Sequence, residues 1–312
     1  MTEITNQRCA IVTVIGAPNA GKSTLVNALV GAKISIVTQK VQTTRARIRG
    51  IVVESDTQIV FIDTPGIFAP KRRLDRAMVA AAWDGIDGAD QTLLMVDAPA
   101  YITGATGGGQ AAKARADTDS ILDGLKAAER KVTLVLNKID EIARQKLLAL
   151  IEELSAENDF AEIFLISAKT GDGLKELKAH IVSNAPPGPW LYPEDQLSDI
   201  SDRLMAAEVT REKLFLRLHQ ELPYDSTVET EDWKSGKKGI RIEQTIYVAR
   251  DSQKGIVLGK SGQTLKAIGQ AAREDLSEIY GAPVHLFLHV KVREGWSDEA
   301  ARLRNIGLDV VQ

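Results

Sequence analysis

The sequence predicts two domains, an α/β domain with a mostly parallel sheet and one antiparallel strand, followed by a smaller α+β domain. The first observation behind this prediction is the length of 312 residues, which exceeds what one ordinary hydrophobic core covers. The second is the proline cluster at 186–189, which cannot continue a helix or a central strand. The third is that strands and helices alternate before the cluster but not after it. We therefore expect domains over 1–185 and 199–312, joined by a proline-rich linker over 186–198.

Six short apolar runs in the first domain have the length and residue types of strands. The second and third runs are separated only by the polar turn Ser55-Asp56, so we expect them to pair antiparallel. The other connections are long enough for the right-handed crossovers of a parallel sheet. Residues 101–118 are rich in glycine and lack apolar periodicity, so we expect a surface loop there. The predicted strands are Ala10–Ile15, Ile48–Val53, Ile59–Ile62, Thr92–Val96, Val132–Leu136 and Ile163–Ile166.

The second domain has a different order of elements: a helix, two strands, two helical segments and a final strand. In the final strand apolar residues alternate with polar ones, which is the pattern of a sheet with one face against a core. This order indicates a small α+β domain. The predicted elements are Asp199–His219, Ser226–Thr230, Ile240–Val248, Gly255–Leu258, Thr264–Tyr280 and Val284–Val292.

Composition and charge narrow the class of protein. Apolar residues make up 44% of the chain and charged residues 26%, as in globular proteins. No apolar run approaches the ~18 residues of a membrane span, and we expect no leader or lipid-attachment segment. The single cysteine, Cys9, excludes an internal disulfide and favours a reducing, cytoplasmic location. The net charge of −3 argues against a nucleic-acid binder that is basic over its whole surface.

A glycine-rich segment lies between the first predicted strand and the helix that follows it. In this phosphate-loop pattern, glycines let successive N–H groups converge on phosphate oxygens, and the helix N-terminus adds partial positive charge. Lys22 is expected to neutralise charge on the β- and γ-phosphates, and Ser23 to ligate Mg²⁺. A glycine-capped turn with a chance lysine is the alternative. The candidate nucleotide-binding residues here are Gly16, Ala17, Pro18, Asn19, Ala20, Gly21, Lys22, Ser23 and Thr24.

Further motifs follow later strands, at the sheet edge where open α/β sheets bind ligands. Asp63 is placed to reach Mg²⁺ through water, and the N–H of Gly66 to sense the γ-phosphate. Asp140 as a carboxylate can accept hydrogen bonds from the N1–H and the exocyclic amine of guanine, a pair of donors that adenine lacks. The alternative for Asp63–Gly66 is a strand that ends in a proline turn. The alternative for Asp140 is that its side chain caps the N-terminus of a helix. These candidates are Asp63, Thr64, Pro65, Gly66 and Ile67, then Asn137, Lys138, Ile139 and Asp140, then Ser167, Ala168 and Lys169.

A short basic segment in the second domain is hidden by the overall charge. Between residues 250 and 273, five basic residues accompany one acidic residue, a local net charge of +4. The tetrad Gly259–Gly262 lies there between two helical segments, as in the loop of KH domains, where glycines allow close approach to single-stranded RNA. A joint between two helices is the alternative. The candidate RNA-binding residues are Lys254, Gly259, Lys260, Ser261, Gly262 and Lys266.

The motifs of the first domain resemble, in order, the signature motifs of the translation-factor class of GTPases. Together with Gln42-Thr43-Thr44-Arg45 and the Gly-Lys-Ser-Gly loop, they resemble one family closely, the Era family of ribosome-assembly GTPases. The resemblance implies a P-loop GTPase domain over the whole first domain and a type II KH domain after it. It also implies hydrolysis of GTP to GDP and phosphate, and binding of the 3′ end of small-subunit ribosomal RNA.

The resemblance further implies the ligands of Mg²⁺. Residues 33–47 look like switch I, whose threonine ligates the ion only when a γ-phosphate is present. We expect that threonine to be Thr44, with Thr43 as the second candidate. The implied metal ligands are therefore Ser23, Thr44 and Asp63.

The implied catalytic residues are Lys22, Thr44 and Asn19. Asn19 resembles the asparagine that coordinates K⁺ in potassium-dependent members of this class, where K⁺ supplies the charge of an arginine finger. A hydrogen bond of Asn19 within its own loop is the alternative. Ile67 stands where Ras-like proteins have a glutamine that orients the attacking water, so we expect slow intrinsic hydrolysis.

Two other classes of protein stay open as alternatives. A membrane-associated signalling GTPase would place the basic segment 250–273 on anionic lipid at the inner face of the cell membrane, although the GxxG tetrad favours RNA. An RNA-binding scaffold whose first domain only senses GTP stays open because the apolar Ile67 cannot orient the attacking water. The predicted partners are GTP, GDP, small-subunit ribosomal RNA and the small ribosomal subunit, and we predict no stable oligomer.

Overall fold

The chain folds into two compact units in a computed structural model that describes residues 7–38, 40–219 and 221–308. The first unit comprises the residues up to Ser35 together with Thr44–Asp199. The second comprises Ile36–Thr43 together with the residues from Ile200 onward. No helix within the described ranges is both long enough and apolar enough to span a membrane.

The first unit is organised on a sheet of six strands, β1 (Arg8–Gly16), β2 (Ile48–Glu54), β3 (Thr57–Asp63), β4 (Gln91–Asp97), β5 (Thr133–Asn137) and β6 (Ile163–Leu165). Their order is β2-β3-β1-β4-β5-β6. Strands β2 and β3 are antiparallel, as their short turn predicts, and every other neighbouring pair is parallel. The predicted fold class is therefore confirmed. The order reverses at β1, so the carboxyl ends of β3, β1 and β4 meet at the edge where open α/β sheets bind ligands.

Helices connect these strands and share their core. They are α1 (Lys22–Val30), α2 (Arg73–Asp87), α3 (Ala98–Gly104), α4 (Gly109–Ala127), α5 (Arg144–Glu157) and α6 (Leu174–Ser183). Ile86 of α2, Ile121 of α4 and Leu150 of α5 lie in one buried cluster with Leu94 and Leu134 of the sheet. Burial of this continuous apolar cluster is what stabilises the crossovers.

The prediction of a surface loop over residues 101–118 is wrong, because α3 and the first half of α4 occupy it. Tyr101 is only 4% exposed, and its hydroxyl donates to Asp119 Oδ1 at 2.6 Å. The two helices approach closely at Gly104, where a Cβ atom would lie 2.5 Å from the carbonyl oxygen of Ala111. Gly104 therefore allows close packing of the two helices rather than a loop. The alanine-rich start of α4 has high helix propensity, although its apolar residues show little helical periodicity.

The predicted linker, 186–198, lies along the first unit. The Gln58 side chain accepts hydrogen bonds from the N–H groups of Leu191 and Tyr192 at 2.8 and 3.0 Å and donates to the Tyr192 carbonyl at 2.8 Å. Ile51 of β2 donates to the Leu197 carbonyl at 2.8 Å. These bonds attach the segment to β3 and to the outer strand β2, and the unit extends to Asp199.

The second unit contains a sheet of three strands, β7 (Ser226–Gly236), β8 (Gly239–Val248) and β9 (Val284–Val292), in that order. β7 and β8 are antiparallel, and β8 and β9 are parallel. The helices of this unit are α7 (Asp202–Arg217), α8 (Asp251–Leu258), α9 (Gln263–Tyr280) and α10 (Ala300–Asn305). Leu214 of α7 and Ile268 of α9 share a buried cluster with Ile246 and Val248 of β8. The unit is the small α+β domain that the sequence predicts.

Part of the predicted switch I, Ile36–Thr43, belongs to this second unit. The N–H of Val37 donates to Glu212 Oε1 at 3.0 Å. The buried Arg211 guanidinium donates to the Thr43 carbonyl and also pairs with Glu208. Two consecutive residues of α7 therefore hold the segment by its backbone.

Candidate functional site

The phosphate loop has a shape that only glycine permits at two positions. It runs from the end of β1 at Gly16 to the start of α1 at Lys22. A Cβ atom on Gly16 would lie 2.3 Å from the Met95 carbonyl oxygen, and one on Gly21 would lie 2.2 Å from Asn137 Nδ2. Gly21 has a left-handed backbone with φ 100°. The neighbouring strands β4 and β5 therefore pack closely against the loop, and its tight glycine backbone is of the kind that phosphate binding requires.

Lys22 supplies the positive charge of this loop. Its ammonium donates to the carbonyl oxygens of Gly16 and Ala17 at 3.1 and 3.0 Å, and the residue is 6% exposed. Burial lowers the pKa of Lys22 to about 8, against the opposing attraction of Asp63. A buried ammonium held by neutral carbonyls is a ready partner for a phosphate anion.

Three oxygen-bearing side chains converge beside Lys22. Ser23 Oγ donates to Asp63 Oδ2 at 2.7 Å and lies 2.8 Å from Thr44 Oγ1. Thr44 Oγ1 lies 3.4 Å from the same carboxylate oxygen. Asp63 is buried, its Oδ1 atom accepts no hydrogen bond within the described residues, and burial raises the pKa of its carboxyl group. This set of hard oxygen ligands, with one carboxylate oxygen still available, fits Mg²⁺.

The two threonines of the predicted switch I are distinguished by their surroundings. Thr44 is buried and belongs to the oxygen cluster with Ser23 and Asp63. The hydroxyl of Thr43 instead donates to the Lys40 carbonyl at 2.8 Å and lies 2.7 Å from Thr38 Oγ1. Of the two, Thr44 is therefore the one in position to ligate a metal ion.

The segment Asp63–Ile67 packs directly on the phosphate loop. A Cβ atom on Gly66 would lie 2.8 Å from Pro18 Cγ, and the Ile67 N–H donates to the Gly16 carbonyl at 3.1 Å. The Thr64 hydroxyl donates to the Val14 carbonyl at 2.7 Å, so it serves the fold. The Ile67 side chain is 4% exposed and lies in the apolar cluster of the core. It offers no polar group to a water molecule.

The candidate base-recognition segments are tied together by Asn137. Its side chain donates to the Ala20 carbonyl at 2.8 Å and accepts from the Ala168 N–H at 2.9 Å. Because Asn137 is 2% exposed, it joins the phosphate loop to the Ser167–Lys169 segment from within. The sequence pattern predicts Asn137 as a nucleotide-binding residue, and these hydrogen bonds show that its side chain orients the surrounding loops.

Asp140 lies in a one-turn 3₁₀ helix, Ile139–Glu141, and is exposed. Helix α5 begins further along, with Ala143 at its N-cap, so the alternative that Asp140 caps this helix is excluded. Lys138 has a left-handed backbone, with φ 65°, which turns the chain after β5. An exposed carboxylate at the carboxyl edge of the sheet is free to accept from a base.

The candidate RNA loop is open on its outer side. Helix α8 ends at Leu258, a short 3₁₀ turn covers Lys260–Gly262, and α9 begins at Gln263. Lys260 and Ser261 are exposed, and so is Lys266 in the first turns of α9, while Lys254 is partly buried. Ile256, one turn before the loop, is 58% exposed. An exposed cation and an apolar side chain beside a tight turn suit the phosphates and bases of a single strand.

Asp97, at the end of β4, is a charged residue at the nucleotide edge that the sequence motifs do not predict. Its carboxylate forms an ion pair with the ammonium of Lys138. A signal was present, because a polar residue directly follows the predicted strand Thr92–Val96, as Asp63 and Asn137 follow theirs.

Comparisons with known proteins identify the family of each of the two units. A family model described as a 50S ribosome-binding GTPase matches residues 11–138, and one described as a KH domain matches residues 221–297. The GTPase Era of Caulobacter vibrioides is 55% identical over 313 residues, which cover 99% of each chain. The GTPase Era of Afipia carboxidovorans is 54% identical over 303 residues, covering 97% of this chain and 94% of that protein.

Two solved structures are similar over nearly the whole length. One is Era in complex with MgGDPNP and nucleotides 1506–1542 of 16S ribosomal RNA, with a TM-score of 0.87, 36% identity, and coverage of 97% of this chain and 99% of that one. The other is a variant of Aquifex aeolicus Era bound to GDP·AlF₄⁻, with a TM-score of 0.87, 37% identity, and coverage of 97% and 100%.

Proposed function

The chain belongs to the Era family of GTPases, and we propose that it hydrolyses GTP in its first unit, binds the 3′ end of small-subunit ribosomal RNA through its second unit, and acts in small-subunit assembly. One observation carries the enzymatic half: a buried lysine and three oxygen-bearing side chains converge at the mouth of a phosphate loop. The related Era structure with MgGDPNP and 16S ribosomal RNA supports both halves.

Phosphate binding falls to the loop backbone and to Lys22, and base selection to Asp140. Ser23, Thr44 and Asp63 would hold Mg²⁺, which when bound neutralises charge on the phosphates. The loop N–H groups orient the phosphates, and Lys22 stabilises the negative charge that builds up on the oxygen between the β- and γ-phosphorus atoms. Asn137 keeps the phosphate loop and the base segment in register through its two hydrogen bonds.

The attacking water has no side-chain base in this proposal. Ile67 is buried in the core, so orientation of the water falls to backbone groups near Gly66. Asn19, which has a left-handed backbone with φ 65°, is our candidate ligand for a K⁺ ion that would supply the missing positive charge. Turnover of GTP should then be faster in potassium than in sodium, and Asn19→Ala should abolish that difference. Equal rates in the two salts would remove the role of K⁺.

The nucleotide state regulates RNA binding in this proposal. Thr44 joins the oxygen cluster, and the preceding residues Ile36–Thr43 are held by α7 of the unit that contains the RNA loop. A change in the position of Thr44 on GTP hydrolysis therefore moves the adjoining segment, Ile36–Thr43, which belongs to the second unit. The affinity of a short oligonucleotide with the sequence of the ribosomal RNA 3′ end should differ between the GTP-analogue and GDP forms.

A peripheral membrane contact is the second partner to test for the basic segment 250–273. Anionic vesicles should not displace the RNA oligonucleotide, because the tight turn at Gly259–Gly262 suits a nucleic-acid backbone. Displacement would favour the membrane-associated alternative.

We also expect the protein to sediment as a monomer. We expect a cytoplasmic location, in which Cys9 stays reduced because it is buried.

Single-turnover hydrolysis of GTP by the full chain tests the enzyme directly. Release of phosphate should require Lys22 and should be lost in Lys22→Ala. Tight GTP binding without phosphate release would favour the scaffold that only senses GTP.

A further inference from the structure

We propose that Asp97 is a positioning residue for the guanine nucleotide, because it anchors the ammonium of Lys138 and so orders the Lys138 side chain before the nucleotide arrives. This role rests on the proposed function, since it presumes that Asn137–Asp140 meets the base. Asp97 lies outside the motifs that predicted the site.

Strand register brings the two residues together. In the parallel pair β4 and β5, Asp97 is opposite Asn137, and Lys138 is the next residue along the chain. The ammonium of Lys138 contacts Asp97 Oδ2, and the two side chains are 30% and 14% exposed. The surface pair between Lys131 and Asp159 in the same unit is far more open, at 56% and 84%. Reduced exposure strengthens the attraction because water screens it less.

The Asp97 carboxylate is fixed independently of the lysine. Asp97 is the N-cap of α3, and its Oδ1 atom accepts a hydrogen bond from the Ala100 N–H at 3.0 Å. One oxygen therefore caps a helix while the other meets Lys138. A carboxylate already ordered by a helix loses little further freedom on pairing, whereas an ordinary surface pair must immobilise both partners.

Lys138 needs such an anchor at its far end. Its backbone is set by the left-handed turn after β5, with φ 65° and ψ 38°, but four rotatable bonds separate that backbone from the ammonium. Fixing the ammonium orders the aliphatic stem, which can then lie against a base plane. Order that exists before binding lowers the entropy lost on binding, so it slows dissociation of the nucleotide.

Two substitutions of Asp97 separate the anchor from the helix cap. Asp97→Ser keeps a good N-cap but carries no charge and is too short to reach Lys138, whereas Asp97→Ala removes both functions. We expect Asp97→Ser to raise the Kd for fluorescently labelled GDP about tenfold, mainly through faster dissociation, with an unchanged midpoint of thermal unfolding. Asp97→Ala should show the same Kd and a lower midpoint.

A double-mutant cycle with Lys138→Ala tests whether Asp97 acts through the lysine. In the Lys138→Ala protein, Asp97→Ser should change the GDP affinity no further. The matched control is Asp159→Ser, which removes an exposed carboxylate that pairs with Lys131 and should leave the Kd unchanged.

Two results would overturn the role of Asp97. One is wild-type GDP affinity in Asp97→Ser, which would make the ion pair a contact without consequence for binding. The other is a tenfold loss that persists undiminished in the Lys138→Ala background, which would mean that Asp97 acts by another route. Absence of GDP binding in the wild-type chain would instead overturn the proposed function on which this role rests. A failure of the proposed function is therefore distinguishable from a failure of the role of Asp97.

Discussion

The two glycine-containing loops of this chain, Gly16–Ser23 and Gly259–Gly262, have similar local chemistry in opposite surroundings. Each places a lysine near left-handed glycine backbone and leads into the N-terminus of a helix. In the first loop Lys22 is 6% exposed, whereas in the second Lys260 is exposed. A closed loop suits the compact terminal phosphates of a nucleotide, and an open loop suits a polymer that continues in both directions.

The difference also shows in what sets the shape of each loop. Neighbouring strands leave no space for a Cβ atom at Gly16 or Gly21. At Gly262 a Cβ atom would meet open space, and only the backbone angle, φ 77°, favours glycine. At Gly259 a Cβ atom would lie 2.1 Å from the hydroxyl oxygen of Thr264. Packing by neighbouring strands therefore shapes the nucleotide loop, whereas backbone angles and contact with the start of α9 shape the RNA loop. The comparison shows that loops with similar residues differ in enclosure, and that the enclosure of each fits the ligand class that its motif predicts.

Lys22→Ala should have the largest effect on ligand binding, and it tests the contrast between the two loops. Removal of a buried ammonium that faces phosphate should weaken GDP and GTP binding about 100- to 1,000-fold. Calorimetry with GDP measures this loss, and the RNA affinity of the nucleotide-free variant should equal that of the nucleotide-free wild type. Lys146→Ala, at an exposed position of α5, serves as the control. Nucleotide affinity within threefold of wild type would contradict an enclosed, charge-dependent loop.

Base selection distinguishes the nucleotide site further, because it requires a directed carboxylate. Asp140→Asn should lower GDP affinity about 100-fold, and it should improve binding of the xanthosine nucleotide, which has a carbonyl where guanine has its amine. Competition of GDP, xanthosine diphosphate and ADP against a labelled nucleotide provides the measurement. A variant that still prefers GDP would show that Asp140 does not read the base.

A smaller effect is expected at the open loop. Lys260→Glu should weaken binding of the RNA oligonucleotide about tenfold and reduce the slope of log affinity against log salt by about one. Lys237→Glu makes the same charge change at an exposed position in the turn between β7 and β8 and should have a weaker effect. Wild-type RNA affinity in Lys260→Glu, or a loss of GDP binding, would break the division of ligands between the loops.

The last expected effect, no larger than that of Lys260→Glu, is a pH dependence that follows from the enclosure of Lys22. Because burial lowers the pKa of Lys22 to about 8, the free loop loses its charge above that pH, and GDP affinity without Mg²⁺ should fall about tenfold between pH 7 and pH 9. The contribution of Lys22 to the free energy of unfolding changes in the opposite direction. Between pH 8 and 10.5 the unfolded chain binds more protons than the folded chain, so the free energy of unfolding rises with pH. A pH-independent Kd over this range would show that Lys22 is not desolvated.

Local pattern was enough to predict the strands, the antiparallel pair and the position of each candidate motif at a strand end. These features depend on apolar periodicity, turn length and the directions of parallel strands, all of which act over a few residues. The segment 101–118 shows where such reasoning fails. Its glycines predict a loop, but Tyr101 packs in the core and Gly104 allows two helices to pack closely.

The sequence by itself determined the kind of ligand at each site, because glycines, lysines and carboxylates have fixed chemistry and their spacing places them on loops. Only the tertiary structure decided which groups meet: Thr44 rather than Thr43 beside Ser23, Asn137 between two loops, and Asp97 against Lys138. The physical reason is that these partners come from different strands, helices and loops, whose relative positions depend on how the whole sheet buries its apolar faces.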